Sequence, residues 1–136
     1  IRSTESGIAY QVEFDENAGA TGNLLGERMS VSVPGRATDR AKVWKANDWN
    51  SFRIRMVGEI PRITVWINGA QMYDVTQTKN DFIAGATEGM IALQSHWTTL
   101  YSPAAGNWSG LGSWAPGALH RYRNIMITEL PDDLKN

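Results

Sequence analysis

Ile63-Thr64-Val65-Trp66-Ile67-Asn68-Gly69 reads as a β-strand that runs into a two-residue turn. Ile63, Val65 and Ile67 fall on one face and Thr64 and Trp66 on the other, the period of two that an extended chain imposes. Asn-Gly is the strongest short hairpin signal, because a type I′ turn needs positive φ at both central positions. Gln71 to Val75 is the expected return strand. The same alternation recurs on either side of this hairpin. Ile8, Tyr10, Val12 and Phe14 share a face, with Gln11 and Glu13 opposite. Phe52, Ile54 and Met56 alternate with Arg53 and Arg55. Leu24-Leu25 and Met29 to Val33 read as short strands, and Pro34-Gly35 as a turn. Gly89 to His96 and Tyr122 to Leu130 read as two more strands. In the first of these, Ile91 and Leu93 share one face and Ala92, Gln94 and His96 the other. Arg36 to Asn47 shows no clear period, and Thr76 to Ala84 reads as weakly helical or irregular. Short alternating strands punctuated by turns predict an all-β antiparallel sandwich or jelly roll.

The bulk properties bound the function classes. A chain of 136 residues is long enough for one core, so a single domain over 1–136 is expected. With 42% apolar and 20% charged residues it is globular rather than disordered. A net charge of -1, with 13 scattered Lys and Arg, argues against a nucleic-acid partner. No apolar run reaches the ~18 residues of a membrane span. Cysteine is absent, which excludes disulfides and thiol chemistry. The first residue is Ile1 and no signal segment precedes it, so a processed or excised fragment is expected. Residues 97–119 lack any period but carry Trp97, Tyr101, Trp108 and Trp114 among Gly, Ser, Pro and Asn. Structureless loops longer than ~12–15 residues are usually functional or disordered, and the aromatics argue against disorder.

Several residues bear chemistry. Glu13 and Asp15 are two apart, ~7 Å along an extended strand, a spacing compatible with paired glycosidase carboxylates. Retaining jelly-roll glycanases carry a further Glu where this chain has Ala18, so that reading fails. Glu13, on one face with Gln11, is the better functional carboxylate. Glu13, Asp15 and Asn17 together offer three oxygens to a hard cation. His96, beside Gln94 on a polar strand face, is read from its residues alone as a surface or satisfied histidine, and His120 as structural. Arg53 and Arg55 read as solvated. Trp66 is either a sheet-covering residue or a sugar platform. Trp97, Trp108 and Trp114 either stack on sugar C–H faces or pin the loop that carries them. Three classes stay open on this basis: an enzyme, a non-catalytic carbohydrate-binding module, and an interaction domain whose loop docks a protein.

Four blocks in order sharpen the choice. Trp49-Asn50-Ser51-Phe52-Arg53-Ile54, the strand ending in Trp66-Ile67-Asn68-Gly69, Gly89 to His96, and Tyr122 to Leu130 are joined by looser matches at Ile1-Arg2, Tyr10 to Phe14 and Thr21-Gly22-Asn23-Leu24. The chain resembles the 3-keto-disaccharide hydrolase domain family. The resemblance implies a concanavalin A-like jelly roll, here lacking the strands that family members carry ahead of Ile1. It departs from the family at Gln11 and Glu13, whose order is reversed, at Leu25 in place of a Tyr, and in the length between His96 and Tyr122. The implied activity is cleavage of 3-keto-glycosides by C2 proton abstraction, elimination and hydration. On this resemblance Glu13, His96 and Arg2 are the catalytic set, with Glu13 or His96 as base and Arg2 on the oxyanion. A divalent metal ion is a further candidate there. Gln11, Gln94, Trp66, Trp97, Trp108 and Trp114 form the substrate-binding set. The expected partner is a carbohydrate, with no nucleic acid and no membrane span. A segment ahead of Ile1, or a protein partner, would complete the strands. The family alone implies a periplasmic or extracellular location.

Overall fold

The Asn68-Gly69 hairpin forms as its residues dictate. Asn68 and Gly69 take φ of 50° and 83°, and Ile67 pairs Ala70 across them. This is seen in a computed structural model that describes residues 1–15, 19–82, 85–94, 101–102, 107–108 and 119–131. The hairpin joins β4 (Arg62–Ile67) to β5 (Ala70–Thr76), and β3 (Phe52–Val57) pairs the other edge of β4, giving an antiparallel sheet in the order β3-β4-β5. A second antiparallel pair, β1 (Ala9–Val12) and β2 (Leu24–Glu27), sets Val12 opposite Leu24 and Gln11 opposite Leu25. The two sheets meet through one apolar cluster. Tyr10 and Leu24 from the first and Ile63, Val65, Ile67 and Tyr73 from the second are buried together. Each fully buried side chain of this size contributes about 1.5–3 kcal/mol. The expected all-β antiparallel architecture is thus the one adopted, consistent with a concanavalin A-like sandwich. The chain divides into two compact units, Ile1–Leu93 and Gln94–Asn136. In the second, β6 (Tyr101–Ser102) pairs antiparallel with β7 (Asn107–Trp108).

Asn68 does more than turn the chain. Its Oδ1 accepts from Ser51 N at 2.9 Å, and its Nδ2 donates to Val43 O at 2.8 Å and to Asn50 Oδ1 at 2.7 Å. Asn50 in turn accepts from Lys45 N and donates to Lys45 O, both at 2.9 Å. The loop that enters β3 is therefore laced to the hairpin by amide side chains. Asn68→Ala removes these bonds and places Ala in the left-handed region. At about 0.5–1.5 kcal/mol net per bond, we expect a loss of about 2–4 kcal/mol in urea unfolding. A loss under half a kcal/mol would show the lacing to be incidental.

Three expected strands do not form. Met29 to Val33 alternates in sequence, yet Ser32 N and Val33 N donate to Asp81 Oδ2 and Gln77 Oε1 at 3.0 and 2.8 Å. Side chains thus satisfy the backbone groups that a ladder would need. Of Gly89 to Gln94, only Met90 makes a bridge, with Ser3, and Ile91 and Leu93 are each 54% exposed. Tyr122 to Leu130 forms no strand, and Met126 is 86% exposed. A period of two creates a face to bury, but a strand also needs a neighbouring backbone, and among the described residues none continues the pairing beyond the Met90–Ser3 bridge. Ser95 and His96 lie outside those residues. Among them, no helix is long and apolar enough to cross a membrane.

Candidate functional site

The face of β1 opposite Tyr10 and Val12 carries the buried Ala9 and the half-buried Gln11, and Glu13 follows in the same alternation. Just past the paired strands the ladder is interrupted. Gly22 N donates to Glu13 O at 2.8 Å, and Glu13 N donates to Asn23 O at 2.9 Å. Two residues therefore oppose one, with Gly22 at φ 92°, which is the hydrogen-bond pattern of a G1 β-bulge. Tyr73 donates its hydroxyl to Gly22 O at 2.9 Å and pins the bulge from the core side. On the far edge of β2, Leu24 bridges Gly35, so Asn23 stands opposite Arg36. Asn23 Oδ1 accepts from Ala37 N at 2.9 Å and holds that edge in place. Glu13, Asn23 and Arg36 thus form one row across three segments, each step ~4.8 Å.

The electrostatics follow from this row. Burial pushes the half-buried Glu13 carboxyl above the ordinary glutamate range, Asp15 adds to the rise, and Arg36 opposes it. A desolvated carboxylate near a like charge is a stronger base than a solvated one. Beside it, Asn23, Arg36, Thr38 and Arg40, with Ala37 and Ala41, line an open cavity of about 350 Å³. That is at the small end of ligand sites.

The other expected residues are placed as follows. Arg2, at φ 52°, donates from Nη2 to Gly58 O at 3.1 Å, while its Nη1 is buried without a partner. Burial lowers its pKa, and the nearby charge site it feels is Tyr10, on the core side. The charges that act on Glu13 are those of Asp15 and Arg36, while Arg2 is held at the Gly58 carbonyl. Trp66 stands opposite Arg53, whose guanidinium lies 4.8 Å over its ring, so one indole face is already covered. Gln94 is exposed. His96, Trp97 and Trp114 lie outside the described residues, and Trp108 is described only as part of β7. Arg36 was hidden in a stretch without period. The Pro34-Gly35 turn, which brings Arg36 alongside β2, is the one local signal that pointed to it.

No group of three His, Cys, Asp or Glu side chains comes together among the described residues, and Asn17 lies outside them.

A family model described as the 3-keto-alpha-glucoside-1,2-lyase-like domain matches residues 1–128. The chain belongs to this family. No curated protein and no solved structure matches it. A carbohydrate-related function follows from membership. In this lyase-like domain the Thr21-Gly22-Asn23-Leu24 block acquires a structural meaning. Gly22 and Asn23 build the bulge opposite Glu13, and Leu24 anchors it in the core at 0% exposure. Trp49-Asn50-Ser51 and Asn68-Gly69 are likewise two halves of one hydrogen-bonded corner.

Proposed function

We propose that this chain cleaves the glycosidic bond of 3-keto-glycosides, with Glu13 as the general base. The single observation that carries the reading is a half-buried carboxylate with a raised pKa, held at a β-bulge and facing Arg36, in a member of this family. The C3 carbonyl acidifies the C2 proton. Glu13 takes that proton, and the C2–H electron pair becomes the enolate delocalised onto O3. Re-forming the carbonyl drives the pair into a C1=C2 bond and expels the C1 oxygen with its own electron pair. Water then adds at C1 and C2 is reprotonated, so the net result is hydrolysis. Arg36 supports the ionised base, and its positive charge favours the anionic stages of the sequence. Gln11, on the same face, is a donor and acceptor for sugar hydroxyls. The burial of Arg2 against Gly58 supports a bracing role, so the electrostatic part is assigned here to Arg36.

The test is incubation with 3-keto-trehalose or a 3-keto-glucoside, followed by NMR with and without EDTA. Free sugar or a 2-hydroxyglucal-type enone is the expected product, and its loss with EDTA would add a metal to the reaction. Sugar binding without product would favour a carbohydrate-binding module. Absence of both binding and product would overturn the reading.

The pH profile adds a second check. A base must be ionised to act, so kcat/KM falls as pH drops through the Glu13 pKa. The acid limb should lie above the ~4.3 of an ordinary glutamate. Arg36→Ala removes the charge that opposes the rise, so its limb moves to higher pH. An acid limb at or below the ordinary value, unmoved in the variant, would remove Glu13 from the role of base.

A further inference from the structure

Asn-Gly occurs once in the chain, at the hairpin turn, and it is also the dipeptide that most readily loses its side-chain amide. The reaction requires the Gly69 nitrogen to reach Asn68 Cγ. Glycine has no side chain to hinder that approach. Gly69 is exposed at the tip of the hairpin, with open space where a Cβ would stand. The residues that the turn demands therefore bring a chemical hazard with them. Against it stands the corner built around the half-buried Asn68. Oδ1 is held by Ser51 N, and Nδ2 by Val43 O and Asn50 Oδ1. All three partners lie outside the hairpin and draw the amide toward themselves rather than toward Gly69. Asn68 N also donates to Ser51 O at 2.9 Å, which fixes the backbone at the same point. Asn50 is fixed in turn, because its Nδ2 donates to Lys45 O and Asp48 O at 2.9 and 3.1 Å.

We propose that Asn68 is a site of spontaneous deamidation which the folded corner guards, and that the modification, once made, unlaces that corner. Hydroxide takes the Gly69 amide proton, and the nitrogen attacks Asn68 Cγ with its electron pair. The N–Cγ bond forms, the Cγ–Nδ2 bond breaks, and Nδ2 leaves as ammonia after taking a proton from water. Water then opens the cyclic imide at either carbonyl, leaving aspartate or isoaspartate at position 68. The net change is water in and ammonia out. The aspartate product has no N–H to give. Its ionised oxygen faces two acceptors, Val43 O and Asn50 Oδ1, where Nδ2 had donated to both. Acceptors left without donors cost more than the bonds alone were worth. Isoaspartate instead adds a carbon to the backbone inside the tight turn that pairs Ile67 with Ala70.

The experiment incubates the protein at mildly alkaline pH, folded and in urea, and follows position 68 by peptide mass mapping. The folded protein should convert about 10–100-fold more slowly, the protection expected of a local opening against several hydrogen bonds. Asn50→Ala removes one partner of Nδ2 together with the ties to Lys45. Folded, it should convert about threefold or more faster than the parent chain, and in urea at the same rate. Converted protein, separated by its added negative charge, should unfold at lower urea than the parent chain. Asn68→Asp should reproduce the part of that loss due to the carboxylate. Equal rates folded and in urea overturn the guard, as does a folded Asn50→Ala that converts no faster than the parent. Should Asn50→Ala fail to fold, the two rates of the parent chain decide the matter. A parental urea midpoint in both the converted protein and Asn68→Asp overturns the unlacing.

Discussion

Glu13→Gln is expected to reduce turnover of a 3-keto-glucoside by about 10²–10⁴-fold, the range in which a positioned general base contributes. The same substitution should leave the thermal midpoint unchanged or raise it. The sign follows from linkage. Burial and Asp15 hold the folded pKa of Glu13 above its unfolded value. Its contribution to stability is therefore fully present below the unfolded value, and is lost as pH rises through the folded one. At pH 7 the ionised carboxylate is a cost to the fold. Gln keeps the shape and removes that cost. The pairing of lost activity with retained or increased stability distinguishes a functional carboxylate from a structural one, whose removal would lower both. Circular dichroism melts beside kinetic assays give the answer. A variant that keeps full activity would eliminate Glu13, and one that loses activity only because it unfolds would show a structural role.

Gly22→Ala is expected to cost about 2–6 kcal/mol, a large share of the 5–15 kcal/mol that holds a domain of this size together. Two effects add. At φ 92° an L side chain is strained, by about 1–3 kcal/mol. A Cβ there would also sit 2.8 Å from Ile67 Cδ1 and 2.9 Å from Ala37 Cβ. The tip of Ile67 can rotate away, but Ala37 can yield only by moving its backbone, and overpacking of this kind costs about 1–3 kcal/mol. Because Ala37 is tied to Asn23, that movement would shift Arg36 against Glu13. Urea unfolding measures the first effect, and the acid limb of kcat/KM in the surviving folded fraction reports the second. A cost under 1 kcal/mol would mean that the bulge relaxes freely and does not hold Glu13 in place.

The hairpin shows what was legible locally. Asn68-Gly69 carries its own turn geometry, and the residues on either side carry their own alternation, so the turn, both strands and the buried face were readable from the thirteen consecutive residues Ile63 to Val75. The face shared by Gln11 and Glu13 was legible for the same reason. The blocks around Ile91 and Ile125 had equally good alternation and form no strand. Their period defined which side chains would share a face, but it named no backbone to pair with. Met29 to Val33 was misread for a related cause. Asp81 and Gln77, more than forty positions away in the chain, satisfy its amides in place of a ladder.

The candidate site divides along the same line. Glu13 was visible as a carboxylate on a polar strand face beside Gln11. The cation that acts on it was not, because Arg36 is brought into its row, with Asn23 between them, only by a bulge at Gly22-Asn23 and a bridge from Leu24 to Gly35. Arg2, which the family resemblance linked to the same chemistry, is turned instead to the Gly58 carbonyl. By itself the sequence determined the all-β class, the Asn68-Gly69 hairpin and the face on which Glu13 lies, since turn preference and strand period are properties of neighbouring residues. Only the tertiary structure decided which strands found partners and which charge faces Glu13. Pairing and Coulomb interaction act between residues that the chain brings close only after it has folded.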